Sequence, residues 1–118
     1  MAEKLVDKDC ASGRAGEKPL AKDMIDRYLV QTGGWSVGVN IVDGKSVDTL
    51  QKTFSFKDFR EAMAFLKKIE ELAENQKHHP DFCVHYNQVV FSIWTHSIGG
   101  LHENDFIMAA KINQLAGN

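Results

Sequence analysis

Apolar positions recur along this chain in two rhythms, and the changes of rhythm mark its elements. From Pro19, a good first-turn residue, Leu20, Met24, Ile25, Tyr28 and Leu29 recur at helical spacing until Gly33-Gly34 ends the run. Trp35 then leads Val37, Val39 and Ile41 at period two. The turn signal "DGKS" at 43–46 and a second extended stretch from Thr49 to Phe56 follow, which predicts a hairpin. "SFKD" at 55–58 fits a Ser-x-x-Asp capping box. Behind it, Phe59, Ala62, Met63, Leu66, Ile69 and Ala73 define one face of a helix over 57–75. Arg60, Lys67, Lys68, Glu71 and Glu74 fall on the opposite face, toward water.

Pro80 disfavours helical geometry at His79, so this helix must stop before it and leave His78 and His79 in its exit loop. Phe82–Tyr86 and Val89–His96 are strand-like, with Asn87-Gln88 as the turn between them. Alternation puts Val89, Phe91, Ile93 and Thr95 on one face of the later strand, and Val90, Ser92, Trp94 and His96 on the other. After Gly99-Gly100, Glu103 and Asp105 open a third helix, with Phe106, Ala109, Ala110, Ile112 and Leu115 at helical spacing. The order helix, two strands, helix, two strands, helix predicts an α+β fold: a four-stranded antiparallel sheet with three helices on one face.

Composition bounds this picture without altering it. The 118 residues suit one domain, and residues 1–18, rich in Lys, Asp, Glu, Ala and Gly, read as a mobile leader ahead of a single domain at 19–118. A net charge of −2 spread over mixed-sign segments gives no basic stripe for a phosphate backbone, which disfavours nucleic acid. No apolar run approaches the ~18 residues of a membrane span, and the first residues lack the apolar middle of a secretion signal, so a cytosolic location is expected. Cys10 and Cys83 have no short spacing and are expected to be reduced, Cys83 as a small buried apolar residue.

The chemistry lies in "ENQKHHPDF", residues 74–82. Histidine can donate or accept a proton at neutral pH, and His78, His79 and His96 all fall where an element hands over to a loop. Two or three such groups converging indicate acid-base work. In extended backbone neighbouring side chains diverge, so the pair reaches one ligand only if the loop turns between them. Otherwise one faces the ligand and the other braces it. Glu74, one helical turn before His78, is placed to hold that ring or to be a solvated charge. A metal site from His78, His79, His85 or His96 with Cys83 is set aside, because no standard ligand spacing occurs.

The run "ENQKHHPDF", followed by "VHYNQVVFSIWTHSIGGLHENDF", resembles the signature of the pterin-4a-carbinolamine dehydratases: an acid, three residues, His-His-Pro, a strand, a later His and an Asp. "TFSFKDFREAMAFLKKI" is similar to the segment opening the family's long helix, and Trp35 to the tryptophan that begins its first strand. The likeness covers residues 20–116. One departure is Phe82, where the family commonly carries a tryptophan.

The resemblance implies an antiparallel sheet with helices on one side, assembled as homodimers or homotetramers. It implies dehydration of 4a-hydroxytetrahydropterin, the product of aromatic amino acid hydroxylases, to quinonoid dihydropterin, with no metal or organic cofactor. His78 is then the expected base, supported by Glu74, with His79 and His96 as acid or hydroxyl-positioning groups. Asp105 either orients His96 or stabilises the helix terminus. Trp35 and Pro80 are the expected substrate-binding residues. The alternative is a non-catalytic dimerisation partner or transcriptional coregulator of the same fold.

Overall fold

In a computed structural model that describes residues 4–11 and 16–117, the chain forms α1 (Lys22–Leu29), β1 (Ser36–Val42), β2 (Lys45–Ser55), α2 (Phe59–Gln76), β3 (Asp81–His85), β4 (Gln88–Ile93) and α3 (Glu103–Leu115). The sheet is antiparallel throughout, in the order β1-β2-β4-β3. This is the expected α+β order of elements.

Each hairpin follows from its turn. Asp43 and Gly44 both take positive φ, 52° and 78°, the type I′ geometry that matches strand twist and that Asp-Gly supplies. The β1–β2 register, Val42 opposite Lys45, leaves only those two residues in the loop. The second hairpin turns at Tyr86-Asn87, one residue earlier than expected, with Tyr86 at φ 55°. Asn87 is hooked to Phe56 in both directions, its side chain donating to the Phe56 carbonyl and the Phe56 amide donating to its own, each at 2.8 Å. The entrance to α2 is thereby tied to the β3–β4 turn.

The core lies on the face carrying Leu50, Phe54, Val89, Phe91 and Ile93, all buried. Phe65 of α2 packs its ring against Phe54 and Phe91, and Trp35 meets the same two rings. Within β4 the alternation holds, with Val89, Phe91 and Ile93 pointing inward; past its end Trp94, expected on the opposite face, is buried as well as Thr95. The strand itself stops at Ile93, because Thr95 bridges back to Gly100 and closes a tight turn that carries His96. α3 is buried nearly all round, as a helix between layers must be: β2 and α2 flank it, and α1 adds Tyr28, 5.2 Å from the Phe106 ring.

Two local expectations are corrected. Asp58, not Ser55, caps α2 and accepts from the Glu61 amide at 2.9 Å, because β2 runs on to Ser55 and holds that residue in the sheet. The stretch before Pro19, expected to have little to bury, inserts Leu5 fully into the core from a 3₁₀ turn at Leu5–Asp7. Lys8 pairs with Glu103 at 2.8 Å, and Lys111 donates to the Val6 carbonyl. The described part, 4–11, therefore docks on α3.

Candidate active site

The site begins where α2 ends. Lys77 takes the left-handed conformation, φ 56°, and both its amide and that of His78 donate to the Ala73 carbonyl, which closes the helix and swings the chain sharply. Past it the chain is non-helical, and the two adjacent histidines face apart as neighbours in extended backbone do. His78 turns inward, with its side chain 14% exposed, and its Nε2 lies 2.7 Å from Oδ1 of Asp105 on α3. His79 continues outward, and its Nε2 lies 2.6 Å from Oε2 of Glu74. The carboxylate partners thus differ from the sequence expectation: Glu74 braces His79, and Asp105 braces His78.

Asp105 is fully buried and serves three donors. Oδ1 takes His78, while Oδ2 accepts from the Thr95 hydroxyl and from the His102 amide, each at 2.9 Å. The last bond is half of a capping box: His102 is the N-cap of α3, and its Nδ1 accepts from the Asn104 amide at 3.1 Å. The capping role expected for Asp105 is thus present, joined to a second role in orienting His78. An ionised carboxylate only accepts, which assigns the donating proton of this bond to Nε2 of His78, and among the described residues nothing bonds its Nδ1. The Glu74 bond fixes His79 in the same sense.

His96 joins through its neighbour. Thr95 is bonded to Asp105, while the His96 ring is exposed and packs against Trp94, centroids 4.4 Å apart and planes tilted by 38°. Asp105 is thereby one bond from both the His78 ring and the residue preceding His96, but it does not orient His96 itself. Thr95 is the residue that the sequence reading passed over. Its signal was a hydroxyl on the apolar face of β4, in line with Val89, Phe91 and Ile93.

Pro80 is buried and lines a groove of about 520 Å³ with Glu74, His79, Phe82, Met63 and Leu66 among its walls. Trp35 does not share it. It is 6% exposed, its ring is packed by Phe54 and Phe91, and its Nε1 donates to Asn113 Oδ1 at 3.0 Å. The core therefore claims Trp35, against the expectation that it binds substrate. Lys52 shares Asn113 and bonds the Gly33 carbonyl, and its burial lowers its pKa. Cys83, expected to be buried, is exposed on edge strand β3. Among the described residues no group of three or more His, Cys, Asp or Glu side chains is arranged to hold a metal ion.

On this α+β fold two carboxylate-paired imidazoles lie at one helix exit, His78 on Asp105 and His79 on Glu74, and a third histidine follows Thr95, a partner of Asp105; His79 lines the groove, His78 and His96 do not. Comparison with known proteins supplies the family. Residues 18–115 match the family described as pterin 4 alpha carbinolamine dehydratase, and the chain belongs to that family. A relative from Rubrobacter xylanophilus, provisionally named a pterin-4-alpha-carbinolamine dehydratase, is 39% identical over 111 residues, 94% of this chain and 97% of its own. One from Sulfolobus acidocaldarius with the same provisional name is 44% identical over 96 residues, 81% of this chain and 97% of its own. A crystal structure from Brucella melitensis, described as a transcriptional coactivator/pterin dehydratase, superposes with a TM-score of 0.72 at 34% identity. It covers 85% of this chain and 100% of that one.

Proposed function

We propose that this protein is a hydro-lyase that removes water from 4a-hydroxytetrahydropterin and yields quinonoid dihydropterin. The reading is carried by the two oriented imidazoles, His78 on Asp105 and His79 on Glu74, in a chain of this family. The reaction needs two proton transfers. The C4a–O bond breaks as its oxygen takes a proton and leaves as water. The N5 proton departs to a base, and its bonding electrons form the new C4a=N5 double bond. Proton and hydroxide leave the same heterocycle, so the reaction needs no oxidant or reductant.

His78, with its Nδ1 free, acts as base at N5, and Asp105 holds the ring in that orientation. His79, braced by Glu74 beside the groove, and His96, packed against Trp94, protonate or position the departing hydroxyl. The substrate would come from aromatic amino acid hydroxylases, and the product would return to the reduced pterin pool. This reading assigns the protein to the cytoplasm, which agrees with two free cysteines and with the lack, among the described residues, of any helix long and apolar enough to cross a membrane.

Assembly as a homo-oligomer belongs to the same reading. Val37, Val39 and Ile41 on edge strand β1 are 40%, 59% and 70% exposed, an apolar strip that a second copy would cover. The alternative role, a non-catalytic dimerisation partner or coregulator, is favoured only by the coactivator half of the Brucella protein's description.

The deciding experiment follows decay of enzymatically generated 4a-carbinolamine by stopped flow, with and without the protein. Acceleration that falls in His78→Ala, His79→Ala and His96→Ala is the expected result. A decay rate equal to the spontaneous one would remove the enzyme reading and leave the coregulator.

A further inference from the structure

The described leader residues do more than cover the core. Asp9, Cys10 and Ala11 lie between the exit of α2 and the start of α3, the two places from which His78 and Asp105 reach each other. On one side, Gln76 Oε1 accepts from the Cys10 amide at 2.7 Å and Gln76 Nε2 donates to Asp9 Oδ1 at 3.0 Å. Gln76 is the last residue of α2, two before His78. On the other side, Asn104 and Ala11 exchange a reciprocal pair: Ala11 N–H to Asn104 Oδ1 at 2.9 Å, and Asn104 Nδ2 to the Ala11 carbonyl at 2.7 Å. Asn104 precedes Asp105 and is buried. The Cys10 thiol points at the Asn104 carbonyl, 3.6 Å away, close enough to feel the charge of Asp105.

α2 and α3 pack in the same core, but the His78–Asp105 bond joins the chain just past the end of one to the start of the other, and at 2.7 Å it tolerates little relative movement. We propose that Leu5–Ala11 is a strap that sets the His78–Asp105 geometry, with Gln76 and Asn104 as positioning residues. The inference rests on the dehydratase reading for its kinetic consequence and on geometry alone for its structural one. Leu5 anchors the strap in the core. Asp9, Cys10 and Ala11 carry its two clasps, each formed of two backbone or amide bonds.

The test exchanges the polarity of one clasp. Gln76→Glu sets a carboxylate against Asp9 and should open it, whereas Asp9→Asn with Gln76→Glu restores the bond with donor and acceptor reversed. Both positions lie toward the surface, so the fold should survive, which circular dichroism checks. Two readouts are taken. In nitrogen-15 spectra, the His78 Nε2 proton should lose its hydrogen-bonded downfield position in Gln76→Glu and regain it in the double variant. In stopped flow, kcat should fall about tenfold with KM little changed, and recover likewise. Asp9→Ala, at an exposed position, should move the His78 signal in the same direction as Gln76→Glu and does not depend on that variant's folding.

Folded single variants with a native His78 signal overturn the strap, whatever their turnover. A native protein that does not speed dehydration overturns the enzyme reading instead, and the His78 signal still decides the strap.

Discussion

Asp105 Oδ1 lies 2.7 Å from His78 Nε2, and the other oxygen of that buried carboxylate is shared by the Thr95 hydroxyl and the His102 amide. Three donors therefore converge on one acceptor group. Asp105→Asn keeps one oxygen but replaces the other with an NH₂ donor, so at least one donor faces a donor. We expect a loss of about 1–3 kcal/mol in stability, read from urea midpoints, and a drop in kcat of tenfold or more. Thr95→Val removes a single donor and should cost less on both counts. Native turnover in Asp105→Asn would contradict the orienting role.

The second pair is different in kind. His79 and Glu74 side chains are 62% and 71% exposed, so water and salt weaken their attraction. Glu74→Gln should leave the urea midpoint within about 0.5 kcal/mol of native and lower kcat by no more than about fivefold. The native protein's advantage over this variant should shrink in 1 M salt. A larger effect than that of Asp105→Asn would reverse the ranking of the two pairs.

Burial, followed by the nearby Asp105 charge, pushes the Cys10 thiol up to about 12, whereas Cys83 is exposed. The thiolate is the nucleophile, so at pH 8 Cys10 is almost wholly protonated and unreactive. Mass spectrometry after brief iodoacetamide treatment should find Cys83 alkylated and Cys10 intact. Unfolding in urea should expose both.

Glu103 has its pKa lowered, first by the hydrogen bond from Lys8 and then by that from Tyr28, against an opposing effect of burial. A carboxylate depressed in the folded state contributes stability above its unfolded pKa, near 4.5, and loses it as pH falls through the lower folded value. Docking of the leader should hold from pH 7 to 5 and weaken below about 4. Protection of the Leu5 amide, which donates to Gln31 Oε1, reports this by hydrogen exchange once intrinsic rates are removed. In Glu103→Gln the acid step should vanish.

Lys77 holds a left-handed conformation that favours glycine. Lys77→Gly should raise stability by up to about 1 kcal/mol, and Lys77→Val should lower it by at least as much, judged from thermal midpoints. If glycine here destabilises the protein, the Lys77 side chain has a role beyond ending α2.

Much of this was legible in the sequence because it rests on periodicity. The β4 alternation, the length of α2 and the stop before Pro80 all follow from local pattern. The exchange of carboxylate partners was not legible. The one-turn spacing of Glu74 and His78 holds only inside a helix, and α2 ends at Gln76, after which the two rings face apart in non-helical chain. Trp35 and Cys83 escaped for a related reason: their surroundings come from distant elements, Asn113 on α3 for one and an uncovered sheet edge for the other. Ser55 satisfied a cap motif in sequence while the ladder with Gln88 kept it in β2. Leu5 gave too small an apolar signal to reveal an anchor whose site is built by α3.

Asn87 grips Phe56 just ahead of α2, and Gln76 is gripped at its far end. A rod fastened at both ends passes little disturbance along its length. The outer flank of α2, with exposed Arg60, Ala64, Lys68 and Glu71, is therefore free to vary in charge and size while the imidazoles beyond it stay in register. Sequence drift in this fold should accumulate on that flank first.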